Sequence, residues 1–456
     1  MGRTPLIHFP PSLKWGWVFL AFVACWILAG TDRSDSSGMA FGLILFGAAM
    51  IGVMRFQWTS SWSWIISGLL LRLFWCWVQP EATWSEDWMR YAWDGWLVVS
   101  GQNPYSFTPN EWLQTVPSPP SGLQWLNAEM NSPSYHAIYP PLSQWVFATL
   151  HLPEKLQAGG WPDPHQWWFR WRSMMFLSEA LALLLFGRLL GSATRWGWAY
   201  AIHPLPLAEF VGNGHLDGLA MPLLLSAALV VKRSGRMAAI CLASSIAIKA
   251  IPVVMLPAWW KMRHVAKGHL SGVWRELILG SAWILLLTLP LLLWGAGLWG
   301  AWESAGLFTH TFEFNASIYF VFRALGELIL GYNPIAWLGP SLLILGLLGI
   351  LMNTVRGRGR WMDQALAAIT ILLLSATTNH PWYAGYAMLF GVLTQRIWPV
   401  VGAATMMFSY GHYGPWGAVM GPWLSVVTYG PPLACALWEW VKAKSTSGDH
   451  LMPETM

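Results

Sequence analysis

The feature that most limits how this chain can fold is a set of long, unbroken apolar runs. Trp15–Gly30, Met39–Met54, Leu277–Trp294 and Pro340–Val355 contain no charged residue. Each is close to the roughly 20 residues that a helix needs to cross a hydrocarbon core of about 30 Å. The apolar residues are continuous and do not alternate, which is a poor fit to barrel strands. Hydrophobic residues make up 55% of the 456-residue chain, and its mean hydropathy is +0.44. No soluble shape buries so much apolar surface, so lipid is the expected solvent. The expected fold class is an all-α polytopic membrane protein.

Charge supplies the topology. The basic residues cluster between spans, at Lys232-Arg233 with Arg236, Lys261 to Lys267, Arg356-Arg358-Arg360 and Lys442-Lys444. Such clusters mark cytoplasmic loops. The first run follows a basic start (Arg3, Lys14) without a small-residue cleavage site, so it reads as a retained helix. With that start inside, residues 31–37 (TDRSDSS) fall outside, Arg55 inside, and Pro80 to Ala137 outside. Continuing gives about twelve crossings with both termini in the cytoplasm. The chain is expected to be one membrane domain, 1–456, whose first large outer loop is 80–137. It carries no detectable internal repeat, and the proline-rich PSPPSG at 117–122 reads as irregular loop.

Several functions are excluded early. The net charge of +5 lies in the span-flanking clusters and gives no reason to expect nucleic acid. GxxxxGK[ST] and HExxH are both absent, which removes the P-loop ATPase and the commonest zinc-hydrolase readings. Cys25, Cys76, Cys241 and Cys435 are scattered without CxxC pairing and read as small buried hydrophobes. Tryptophans at 58, 62 and 64, and at 167, 168 and 171, flank spans and read as interfacial belts.

Two stretches break the apolar pattern. Met237–Trp260 lies between two cytoplasmic clusters, with Lys249 in its middle and Pro252 just after. A broken, re-entrant hairpin returns both ends to one side, and an intramembrane lysine is then a functional candidate. A lysine snorkelling from an ordinary span is the competing account. The second stretch is Ile202–Gly218 (IHPLPLAEFVGNGHLDG), rich in turn formers, two histidines and two acids. It reads either as the lining of a cavity at the outer rim or as a turn-rich loop.

The densest charge sits in SEDWMRYAWDG, 85–95. With Ser85 as N-cap and Gly101 as stop, residues 86–100 are predicted to form a helix. Asp87 and Asp94 share a face, and Arg90 is spaced to pair with either. This pattern fits a salt-bridged helix on the membrane surface. It fits equally a carboxylate held at the membrane–water boundary as general base.

The run EDWMRYAWDGWLVVSGQNPYSFTP (86–109), followed by MNSPSYHAIYPPLSQ (130–144), resembles the first outer loop of GT-C glycosyltransferases. It is most similar to the bacterial branch related to GPI mannosyltransferases and glycosyltransferase family 87. Glu209 with GNGHLDG, the Lys249–Pro252 segment, FNASIY (314–319) and NHPWY (379–383) extend the resemblance in the same order. Ser132 and Ala137 depart from the histidine and threonine expected there.

The resemblance implies inverting transfer of a sugar, mannose at family level, from a polyprenyl-phosphate donor to a lipid or glycan acceptor. It places the active site on the periplasmic face of a bacterial inner membrane, among membrane lipids. Asp87 aligns with the family's catalytic acid, with Glu86 assisting or replacing it. Arg90, Tyr91, Asp94, Asn103, Tyr105, Tyr139, His215, Asp217, Lys249, His380, Trp382 and Tyr383 become candidate substrate-binding residues. Asp94 is expected to orient Arg90, and Asp217 to orient His215. Lys249, His215 and His380, with Arg170 and Arg172 further down, are candidates for the leaving phosphate. Helices broken around Pro204, Pro206, Pro252 and Pro290 would wall the lipid groove. The resemblance makes no cofactor certain and leaves open a divalent cation (Mg or Mn) near the acidic pair. A transporter or flippase of a polyprenyl-linked amphiphile is the alternative.

Overall fold

The structure is a computed structural model and describes residues 11–56, 58, 60–79, 84–156, 162–267, 270–294, 299–357 and 359–448. Arg3, Pro80 and Arg358, which the expected topology used, lie outside the described residues. Among the described residues the secondary structure is helical, apart from one isolated bridge between Phe314 and Thr378.

Three apolar helices open the chain: α1 (Pro11–Ala29), α2 (Ser36–Met54) and α3 (Ser61–Val78). The outer segment then folds into short helices, α4 (Asp87–Val99), α5 (Pro109–Thr115), α6 (Ser121–Glu129), α7 (Pro141–Thr149) and α8 (Leu152–Leu156). PSPPSG is therefore irregular only up to Pro120, because Ser121 and Gly122 already belong to α6. Next come α9 (Pro164–Leu190), α10 (Thr194–Ala201), a π-helical turn Pro206–Gly212 and α11 (Asp217–Val230). A pair, α12 (Gly235–Ile248) and α13 (Leu256–Lys267), is joined through a 3-10 turn, Ile251–Met255. The chain continues with α14 (Leu270–Leu293), α15 (Trp299–His310), α16 (Ile318–Leu330), α17 (Ile335–Arg356), α18 (Trp361–Ser375) and α19 (Ala384–Thr394). It ends with α20 (Ile397–Met406), α21 (Pro415–Met420) and α22 (Pro422–Gly448).

Among the described residues, 5 helices are long and apolar enough to cross a membrane: α2, α3, α9, α14 and α17. Shorter apolar helices, including α11, α12 and α18, pack among them. Large apolar side chains cover the outside: Ile278, Leu286 and Leu293 on α14, and Ile344, Leu345 and Val355 on α17, are all exposed. Water would penalise such a surface, whereas lipid does not.

A buried ion pair braces the bundle. Arg72 on α3 and Glu179 on α9 are fully buried and 2.8 Å apart. Arg72 also donates to the carbonyls of Gly68 and Ala201, and Tyr200 donates to Glu179. The ion pair therefore ties α3, α9 and α10 together, with its remaining hydrogen-bonding needs met.

The tryptophans correct the interfacial reading in part. Trp62 is exposed, but Trp64, Trp167, Trp168 and Trp171 are buried. Trp167 and Trp171 stack at 5.4 Å, and their indole N–H groups donate to the carbonyls of Phe147 and Gly214. They form the floor under the outer helices, where a satisfied N–H allows a large ring to be buried.

The segment 235–263 is a hairpin. A Cβ added at Gly235, where α12 begins, would meet Arg263 Nη2 at 2.2 Å. Arg263 lies late in α13, pairs with Glu276 at 2.7 Å and also donates to the Val231 carbonyl. Both arms thus start and finish at one rim, and the break falls at Lys249 and Ala250. Lys261 caps the end of α17 at the same rim by donating to the carbonyls of Thr354, Val355 and Gly357. Basic clusters assigned to one face from sequence are thereby brought together.

Candidate active site

A cavity of about 470 Å³ opens at the opposite end, between α4, the 131–139 loop, the tip of the hairpin, α15 and the segment after α18. Glu86, Asp87, Arg90, Tyr139, Lys249, His380, Trp382 and Tyr383 all line it.

Helix α4 starts one residue later than predicted. Ser85 Oγ accepts from the Asp87 N–H at 3.3 Å, and Gly101 ends the turn beyond Val99 with φ +77°. Gly95 lets α4 sit on α7, since a Cβ there would lie 2.5 Å from the Phe147 carbonyl oxygen. This close fit accounts for the glycine in WDG.

The three charges of α4 part company. Arg90 Nε pairs with Asp94 at 2.7 Å, and its Nη1 donates to the carbonyls of Ser132 and Tyr135. Asp94 is fully buried and also accepts from Gln144 at 3.1 Å. Burial pushes its carboxyl above the usual range, and Arg90 opposes that shift. Asp94 therefore holds Arg90, and Arg90 holds the cavity loop. Asp87 is left facing inward, 24% exposed, with Asn131 donating to it at 3.3 Å. Burial raises the Asp87 carboxyl above its ordinary value, against the lowering influence of Lys249 and Asn131.

Glu86 is not free beside it. Arg33, from the loop between α1 and α2, holds it at 2.5 Å and also donates to the Trp84 carbonyl. Sequence reasoning missed Arg33; TDRSDSS offers an outer charge but no hint of its partner. Tyr410 and Tyr413, which also line the cavity, were missed too. They lie beyond every motif quoted for the resemblance.

Lys249 reaches the cavity because α12 ends there. Its Nζ lies 3.7 Å from Asp217 and 5.5 Å above the Tyr383 ring. Trp382 is sandwiched between His215 at 3.6 Å and His380 at 4.4 Å, and His380 stacks on Phe314 at 4.7 Å. A backbone bridge fixes that stack: Phe314 N–H donates to Thr377, and Asn379 N–H donates back to Phe314. FNASIY and NHPWY are thus stitched into one wall.

Other candidates sit behind the wall. Tyr91 stacks on Phe147 and abuts Tyr139. Asn103 closes a turn by accepting from the Tyr105 N–H and anchors α14 by donating to the Leu291 carbonyl. Tyr105 donates to the Tyr139 carbonyl. Residues 202–218 do not line the cavity, contrary to one expectation, nor do they form an exposed loop. They are almost entirely buried beneath it, wound as a π-turn. Asp217 does not orient His215, because it faces Lys249. His215 instead lies 3.6 Å from Asp87 and 3.3 Å from Glu209.

Arg170 and Arg172 are corrected as phosphate candidates. Arg170 pairs with Glu154, while Arg172 donates to the Val211 and Gln79 carbonyls, all away from the cavity. Pro204, Pro206, Pro252 and Pro290, expected to break helices along a lipid groove, are not among the residues that line this cavity. Among the described residues, no group of three or more His, Cys, Asp or Glu side chains is arranged to hold a metal ion. With Glu86 taken by Arg33, the acidic pair does not present two free carboxylates to one point.

The structure is thus a helical membrane domain with a cavity lined by a largely buried carboxylate and by a lysine from a broken helix. Residues 137–377 match glycosyltransferase family 87. The chain belongs to that family and is a membrane glycosyltransferase. No curated protein and no solved structure matches it. The matched residues include Tyr139, Glu209, His215, Asp217 and Lys249, while Asp87 and the His380–Tyr383 wall fall outside them.

Proposed function

We propose that this glycosyltransferase moves a sugar, mannose at family level, from a polyprenyl-phosphate donor to the hydroxyl of a lipid or glycan acceptor, with inversion. One observation carries the reading: Asp87 and Lys249, from distant parts of the chain, face the same cavity. Asp87 removes the acceptor proton as its oxygen attacks the anomeric carbon. The bond to the donor phosphate breaks, and polyprenyl phosphate leaves with the electron pair. Lys249 stands where that growing negative charge needs a cation. Asp217 keeps the ammonium in place.

Phe314, His380 and Trp382 all line the cavity, and because the stack covers the faces of His380 and Trp382 it is their ring edges that would meet a sugar. Ser132 and Ala137, the two departures from the family pattern, both line the cavity. They are the first positions at which acceptor choice would differ. The basic clusters support a cytoplasmic position for the hairpin's open end and a periplasmic one for the cavity, with about twelve crossings.

The test uses purified full-length protein with radiolabelled polyprenyl-phosphate sugars and a panel of lipid and glycan acceptors. Wild type is expected to form a labelled glycoside, and Asp87→Asn to bind donor without transferring it. Equal transfer by the variant would remove Asp87 as base. Movement of donor across vesicles with no new glycosidic bond would replace the enzyme reading with the flippase.

A further inference from the structure

The buried residues under the base form a chain that the proposed reaction does not yet use. His215 lies between two carboxyl groups, with Nδ1 3.6 Å from Asp87 Oδ2 and Nε2 3.3 Å from Glu209 Oε2. Both ring nitrogens lack a formed hydrogen bond, and the ring is 1% exposed. Trp382 clamps one face at 3.6 Å, so the ring cannot swing away. Glu209 is fully buried, and the donors to Oε2, the oxygen that faces His215, are neutral: Asn213 at 3.3 Å and Tyr410 at 3.0 Å. Its other oxygen has no partner. No cation pairs with Glu209 among the described residues, apart from His215 if it were protonated. An ionised carboxylate is costly in such surroundings, whereas a protonated carboxyl has only a hydroxyl to place.

We infer that His215 is a positioning residue for Asp87, with Glu209, protonated, setting its tautomer. The Glu209 hydroxyl donates to Nε2, which leaves the single imidazole proton on Nδ1, aimed at the Asp87 carboxylate. A second group that fixes which nitrogen carries the proton is the usual device for orienting a histidine. Asp87 is thereby held with one oxygen toward the imidazole and the other toward the cavity. The other charged groups facing His215 fit this state. Lys249, from the hairpin tip, disfavours a second proton on the ring, and His380 lies beyond Trp382. Asp217, on the same segment as His215, faces Lys249.

The inference rests on Asp87 being the base, so its test includes a readout that does not need transfer. Carbodiimide labelling of Asp87 in the purified full-length protein, followed against pH by mass spectrometry, reports when that carboxylate ionises. Replacing His215 by Leu removes a donor to the charged form, so the labelling midpoint should move to higher pH. Transfer by His215→Leu should drop about 10- to 100-fold in kcat with KM little changed. Glu209→Gln still donates to Nε2 and should label and transfer as wild type, whereas Glu209→Leu should follow His215→Leu. An unchanged Asp87 midpoint in His215→Leu, in protein that unfolds at the wild-type temperature, would overturn the inference. So would equal losses in Glu209→Gln and Glu209→Leu, because that would give Glu209 a role as an anion. If Asp87→Asn transfers normally, the base reading falls while the labelling result still stands on its own.

Discussion

The two ends of the molecule handle charge in opposite ways. At the basic rim every described interaction of Lys261 and Arg263 closes off the structure: carbonyls at the end of α17 for one, Glu276 and Val231 for the other. At the cavity rim, both nitrogens of His215 and one oxygen of Glu209 lack a hydrogen-bond partner. Asp87 keeps an open side toward the cavity. Buried polar groups are normally satisfied, and although His264 Nδ1, Asn353 Nδ2 and Gln364 Oε1 also lack a partner at the basic rim, the cations there are spent on scaffolding, whereas the charged groups at the cavity face open space.

Substituting at each rim tests that division. Asp87→Asn should carry the largest effect, a fall in kcat of about 10²–10⁴-fold, the range for losing a general base. Its thermal midpoint should stay at the wild-type value, since the amide still accepts from Asn131. A midpoint that falls together with activity would make Asp87 part of the scaffold.

At the other rim the loss should appear in stability. Arg263→Leu takes from the buried Glu276 both of its guanidinium hydrogen bonds, a change that costs up to about 3–5 kcal/mol. The midpoint should drop, while the folded fraction transfers sugar at the wild-type rate. Adding Glu276→Leu should restore much of the midpoint, because the buried carboxylate that Arg263 served is then gone too. Lost turnover in the folded fraction would erase the distinction between the rims.

Lys249→Met stands next. A charge-assisted hydrogen bond to phosphate is worth about 1.5–3 kcal/mol, roughly ten- to a hundredfold in kcat/KM. It should also move the pH profile. Asp87 acts deprotonated, so activity is full above its pKa and is lost as pH falls through it. Burial already sets that limb above the ordinary carboxylate range, and Lys249 restrains the shift. Without Lys249 the limb should move to higher pH; a limb that stays put would detach the lysine from the base.

The same division explains what could be read in advance. Spans, the α4 helix and the broken hairpin follow from local rules: apolar length, an N-cap, a lysine beside a proline. The convergence of Asp87, Lys249 and the NHPWY wall came from the resemblance, since nothing in spacing connects residues so far apart. Partner choice was not legible from spacing. Arg90 had two acids within reach, the expectation that Asp94 orients it came with the resemblance, and the pair forms at 2.7 Å while the loop carbonyls of Ser132 and Tyr135 take Nη1. His215 sits two residues from Asp217, yet the π-turn aims it at Glu209 instead. The tryptophans misled because indoles suit an interface and a floor equally until their N–H partners are known.

Arg33→Gln should have the smallest effect and bears most directly on which acid of the pair is the base. The Arg33–Glu86 pair is 30% and 27% exposed, and pairs of that kind contribute about 1 kcal/mol or less. Removing it frees Glu86 at the cavity edge without touching Asp87, His215 or Lys249. If Asp87 alone is the base, transfer and its acid limb should stay near wild type. The double variant Arg33→Gln/Asp87→Asn should then be as inactive as Asp87→Asn. Recovery of transfer in the double variant would mean that Glu86 takes over once released. Arg33 would then be the residue that decides which carboxylate works.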